Sequence, residues 1–150
     1  MKKNILFIGY GDLGSRLASI SKDDLVITGI SRSLKPRIIP DQYHSLDWFK
    51  NSAQKVDLLK NYDCLIITLT PTSFDEAGYE KGYEEGMNLI SKLVKNISFK
   101  KSLLISSTRV YKDSEEPINE LSNINLEDFR AKSLLECEAI YSNEINSSQK

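Results

Sequence analysis

Three glycines, Gly9, Gly11 and Gly14, stand at the spacing G-x-G-x-x-G in the stretch FIGYGDLG, after an apolar run and before an amphipathic one. That spacing suits a cradle for a diphosphate. Gly9 permits a tight turn, Gly11 lets the main chain come close to a pyrophosphate, and Gly14 lets the next helix pack on the strand. Free N–H groups where the helix opens, at Asp12 and Leu13, add to the helix dipole in favouring an anion. Asp12 sits oddly beside phosphate, and is expected to cap the helix with its carboxylate. The plainer alternative is a strand-to-helix turn that binds nothing.

About 20 residues on, at the end of the second apolar run, a site for NAD usually carries Asp or Glu to hold the ribose hydroxyls. Here the chain reads ISRSLKPR, with Ser31, Arg32 and Ser33 followed by Lys35 and Arg37, and no acid. A guanidinium grips a 2′-phosphate through paired, charge-assisted hydrogen bonds worth roughly 1.5–3 kcal/mol. That corresponds to a roughly 10–100-fold preference for the phosphorylated cofactor. NADP is therefore favoured over NAD, against the alternative of a solvated basic loop.

Other reactive side chains carry less. His44 is the one histidine and falls in a short apolar-alternating run, where a structural role is expected; His-based metal binding is excluded. Tyr79 and Tyr83 are one helical turn apart, a packing spacing. The acidic stretch DSEEPINE reads as a solvated loop. Cys64 and Cys137 lack metal-ligand spacing and are expected to be reduced.

The elements that must position these residues alternate. Apolar runs at residues 4–9, 25–31, 42–47, 63–71 and 101–111 read as strands. Amphipathic stretches at 12–21, 48–61, 78–96 and 126–142 read as helices. The pattern predicts an α/β, doubly wound parallel sheet of the Rossmann type in the order 3-2-1-4-5. One domain over residues 1–142 is expected, with 143–150 a flexible polar tail.

With 150 residues, 40% of them apolar and 27% charged, the chain has the composition of an ordinary globular domain. Its net charge of −1 argues against nucleic acid as a partner. No apolar run approaches the roughly 20 residues that span a bilayer. The leading MKKNILFIG lacks a signal-peptide cleavage pattern, so a cytoplasmic location is expected.

The stretches IGYGDLGSRLA, SRS, TPTSFDEAGYEKGYEEGMNLI and ISSTRVY followed by INE together resemble the extended short-chain dehydrogenase/reductases of the nucleotide-sugar epimerase/dehydratase type. The resemblance is to a branch with G-x-G-x-x-G in its first turn, and it runs from residue 3 to about residue 140. It implies that Asp47, with Trp48, lies against an adenine, and that Leu69, Thr70 and Pro71 line the nicotinamide-side ribose and phosphates. It also places Ser107 at the family's catalytic Ser/Thr position, hydrogen-bonded to the substrate oxygen; a strand-end Ser satisfying local backbone is the alternative.

The family's Tyr-x-x-x-Lys pair is not found. Aligned on Glu138, its positions hold Arg130 and Leu134; aligned on Glu136, they hold Asp128 and Lys132. Lys132 is left as the candidate for the ribose-binding lysine. The family continues to a sixth strand and a substrate-closing region that this sequence does not contain, leaving the edge of strand five to be covered, with dimerisation one route. Three readings follow: an NADP(H)-dependent enzyme with an atypical site acting on a nucleotide-sugar, a non-catalytic NADP(H)-binding or sensing module, or the remnant of a longer enzyme.

Overall fold

A computed structural model of the chain describes residues 1–50 and 56–146. Five strands form one all-parallel sheet in the order β3-β2-β1-β4-β5. They are β1 (Lys3–Ile8), β2 (Leu25–Ser31), β3 (Gln42–Ser45), β4 (Asn61–Thr68) and β5 (Ser98–Ile105). The expected Rossmann-type architecture and strand order are what the chain adopts.

The centre of the sheet is covered on both sides, which is why β1 and β4 read as unbroken apolar runs rather than alternating ones. On one face Ile5, Phe7 and Ile27 pack with Tyr10 and with Ala18 of α1 (Asp12–Ile20). On the other, Leu6, Ile8, Ile30, Leu65 and Ile67 meet Met87, Ile90 and Val94 of α3 (Gly86–Val94) and Cys137 of α4 (Phe129–Ile140). At β5 the first face is bare: Leu103 and Ile105 are exposed.

The long helix expected over 78–96 is α2 (Glu76–Tyr79), a π-helical segment (Glu80–Glu85) and α3 in succession. Gly82 lies inside the π-helical segment against the chain leaving β4; a Cβ there would come within 2.5 Å of Thr70 O and Pro71 Cα. The helix thus approaches the β4 loop at backbone distance.

Three expectations are corrected. The strand expected over 101–111 is shifted, beginning at Ser98 and giving way to a 3-10 turn (Thr108–Val110). The helix expected over 48–61 does not appear in its described flanks, residues 48–50 and 56–60; residues 51–55 lie outside the described part. The polar tail expected from residue 143 does not begin there. A second π-helical turn (Tyr141–Ile145) continues α4 and inserts Ile145, 1% exposed, into the core; residues 147–150 lie outside the described part. Among the described residues, no helix is long and apolar enough to cross a membrane.

Candidate functional site

The chain leaves β1 at Gly9 with φ +79°, a conformation that side chains resist, and a Cβ there would lie 1.8 Å from Thr68 O. Thr68 Oγ1 donates to Gly9 O at 2.8 Å, tying the turn to the end of β4. The amides of Gly9 and Tyr10 both donate to Ile30 O at 2.9 Å, so neither is left for a ligand. The donors that remain belong to the first turn of α1, whose N–H groups have no acceptor within the helix. Gly11 is the N-cap and no side chain caps the helix.

Asp12 therefore does not cap α1, contrary to expectation. It stands one position inside the helix, where its carboxylate takes Arg16 Nε at 2.7 Å and Arg37 Nη1 at 3.4 Å. The hydrogen bond from Arg16 holds its carboxyl below the usual aspartate value; desolvation opposes it, and the charges of Arg16 and Arg37 add to the lowering.

Next to this turn lies a cleft of about 380 Å³ at the C-terminal ends of the strands. Its walls come from the glycine turn, from Ser31–Arg32–Ser33 after β2, from Asp47 and Trp48 after β3, and from Thr68–Leu69–Thr70 at the end of β4. Arg32 is held over two rings: its Cζ lies 5.6 Å from the Trp48 centroid and 5.4 Å from that of Phe49. Asp47 is engaged within its own turn, accepting from Phe49 N at 3.2 Å and facing Lys50 Nζ at 3.6 Å. Trp48 Nε1 is buried without a hydrogen-bond partner.

A second hollow, of about 340 Å³, opens beyond β5, the strand next to β4. Ser106, Ser107, Thr108, Tyr111, Glu120 and Glu138 line it. Ser106 Oγ donates a short hydrogen bond to Glu138 Oε1. Ser107 Oγ caps the 3-10 turn by accepting from Arg109 N at 3.2 Å, which leaves its own proton available. Asp128, one of the two residues aligned with the family tyrosine, caps α4 by accepting from Arg130 N at 2.8 Å. Arg130, the other, lies over the Phe129 ring. Lys132 is exposed on α4 and lines neither hollow, and Leu134 is buried.

No protein-family profile and no curated protein sequence matches the chain. Solved structures do. UDP-glucuronic acid 4-epimerase from Bacillus cereus, solved with NAD, superposes with a TM-score of 0.70 at 18% identity, over 94% of this chain and 52% of its own. MoeE5, solved with UDP-glucose and NAD, gives 0.73 at 16% identity over 91% and 47%. UDP-N-acetylglucosamine 4-epimerase from Methanobrevibacter ruminantium M1 gives 0.67 at 19% identity over 96% and 52%. The chain has the fold of the UDP-sugar 4-epimerases. It spans about half the length of these proteins.

On this epimerase fold, Gly9, Gly11, Ser31, Arg32, Ser33, Asp47, Leu69 and Thr70 come together in one cleft. Asp12, Leu13 and Gly14 occupy the first turn of α1 beside it, and Pro71 lies against the π-helical segment; none of the four is among the lining residues. Sequence reasoning missed Tyr10, Thr68 and Phe49. Tyr10 and Thr68 flank positions already singled out, but nothing in the spacing of Phe49 announces a ring beneath Arg32. Tyr79 and Tyr83 pack on each other, as their spacing suggested, and Tyr79 also meets Phe129 edge-on.

Proposed function

We propose that the chain binds NADP(H) in the cleft at the ends of β1, β2 and β4, as an epimerase-fold protein with an incomplete catalytic site. The observation that carries this is Arg32, poised over Trp48 and Phe49 at the cleft wall, on a turn without a carboxylate. The free amides of α1 would take the pyrophosphate and the guanidinium the 2′-phosphate. Two further features fit an occupant. A Cβ on Gly11 would meet nothing nearer than Gly9 O at 3.7 Å, so the space above it is open. The buried Trp48 Nε1 is an unmet donor in the wall.

When bound, the nicotinamide would supply hydride transfer. The chain's own part is to hold the dinucleotide and, through the free proton of Ser107, to hydrogen-bond a substrate oxygen. The B. cereus epimerase and MoeE5, with their UDP-sugars and NAD, support a nucleotide-sugar as the substrate class. Asp128 serving as a helix cap and Lys132 standing in solvent favour a second reading, a dinucleotide-binding module without turnover.

Titration of NADPH and NADH tests the proposal. NADPH should bind more tightly than NADH, and Arg32→Ala should remove roughly 10–100-fold of that preference. Absence of binding by either nucleotide at millimolar concentration refutes it. Turnover of a UDP-sugar by the isolated chain would reject the second reading.

A further inference from the structure

The turn that presents Arg32 is wired to β3, and its protons can be assigned one by one. Tyr43 Oη lies 2.6 Å from Ser33 O, a carbonyl that can only accept, so the phenol proton points there. The same oxygen lies 2.7 Å from Ser31 Oγ. With the phenol proton already placed, Ser31 must be the donor and Tyr43 the acceptor. Ser31 Oγ then accepts from Ser33 N at 3.3 Å. The single proton of Ser31 therefore points into the protein rather than the cleft. Ser31, which the sequence places beside Arg32 at the cofactor site, is spent inside the turn.

Tyr43 itself is well held. It pairs with Gly29 in the β2–β3 register, and its ring meets Tyr10 edge-on at 6.2 Å. Its one oxygen grips the turn at Ser31 and at Ser33, so the residue between them leaves β2 in a fixed direction. Trp48 and Phe49 then fix the guanidinium from the far side. Main chain and side chain of Arg32 are thus braced by different residues, before any ligand arrives.

We infer that Tyr43 is a positioning residue for cofactor selectivity: it sets the Ser31–Ser33 turn so that Arg32 can meet a 2′-phosphate without reorganising. This rests on the reading of the cleft as an NADP(H) site. Tyr43 is not among the residues that line the cleft, and its effect should fall on the phosphorylated form alone.

The test is Tyr43→Phe, which keeps the ring and its packing and removes the oxygen. NADPH and NADH dissociation constants are measured by calorimetry for the wild type, Tyr43→Phe, Arg32→Ala and the double variant, with a melting curve for each. The NADPH-over-NADH preference should fall about fivefold in Tyr43→Phe, the worth of one ordinary hydrogen bond, with NADH affinity within about twofold of wild type. In the Arg32→Ala background the same change should have no further effect on NADPH. If Tyr43→Phe does not fold, Ser31→Ala, which removes the middle link, must lower the preference in the same way.

An unchanged preference overturns the inference, as does an equal loss for both nucleotides, which would mark a merely structural residue. Tighter NADPH binding in Tyr43→Phe also overturns it, because the freed Ser31 proton would then be acting as a direct ligand. These results leave the NADP(H) reading standing. A wild type that binds neither nucleotide, or both equally, overturns that reading and this inference with it.

Discussion

The ring of Tyr10 fills the space that a side chain on Gly14 would need: a Cβ there would lie 2.5 Å from Tyr10 Cδ2. The ring cannot yield, being 1% exposed, close against Gly29 as well and tied through its hydroxyl to Ile38 O at 3.1 Å. Gly14→Ala should therefore destabilise the protein. Overpacking costs about 1–3 kcal/mol, offset by up to ~1 kcal/mol of helix propensity. With the full offset, a net cost of up to about 2 kcal/mol lowers Tm by up to roughly 8 °C for a domain of this size. In a Tyr10→Leu background the penalty should shrink, and a scanning calorimeter reads both.

Gly11 should behave in the opposite way. No atom of the chain crowds its open side, so Gly11→Ala is expected to melt closer to the wild type than Gly14→Ala does. A methyl group there would instead stand where a pyrophosphate must approach the main chain, and NADPH affinity should fall at least about tenfold. Equal affinities for wild type and Gly11→Ala would argue that the glycine turn serves the fold alone.

These two glycines show where the sequence was readable. The run LVITGIS between turn signals predicts β2 to the residue, because a strand covered on both faces needs no partner to declare itself. The glycine spacing likewise located the turn. What it could not convey was which member answers to packing, since the Tyr10 ring that decides this is visible only in three dimensions. The same holds for Asp12, which falls one position inside the helix with Gly11 as the N-cap, and for Ser31, whose proton goes to Tyr43. Ile145 was misplaced because a lone apolar residue in a polar stretch carries no periodicity.

Ser107 can be separated from the cofactor cleft by substitution. Its oxygen caps only a three-residue turn, so Ser107→Ala should cost at most about 1 kcal/mol of stability. NADPH affinity should stay within about twofold, since Ser107 does not line the cofactor cleft. If the chain turns over a UDP-sugar, that activity should fall by roughly 10²-fold or more. Turnover unaffected by the change would remove Ser107 from the chemistry.

Asp63 joins β4 to both its neighbours, accepting from Asn4 N of β1 at 2.9 Å and from Lys100 Nζ of β5 at 2.7 Å. The hydrogen bond from Lys100 first, then that from Asn4, holds its carboxyl below the ordinary aspartate value. A carboxyl depressed in the folded state stabilises that state above its unfolded value, and the contribution disappears as pH falls through the folded one. Asp63→Asn should accordingly lower Tm near neutrality and flatten its decline between about pH 5 and pH 3. Parallel acid limbs for the two proteins would contradict the assignment.

Cys137 faces the core from α4, and burial first, then the charges of Glu138 and Glu84, push its thiol up to about 12. At pH 8 the thiolate fraction would be about one part in ten thousand, and the side chain is also sealed from reagents. Cys64, half-buried on β4, is raised by burial as well, with Lys101 opposing. A disulfide-exchange reagent should therefore release little signal from the native protein, and two equivalents at once in denaturant. Cys137 should be labelled no faster than the core opens, with Cys64 ahead of it, a sequence that mass spectrometry of timed samples resolves. Labelling of native Cys137 within seconds at pH 8 would mean that α4 leaves the sheet far more often than its packing allows.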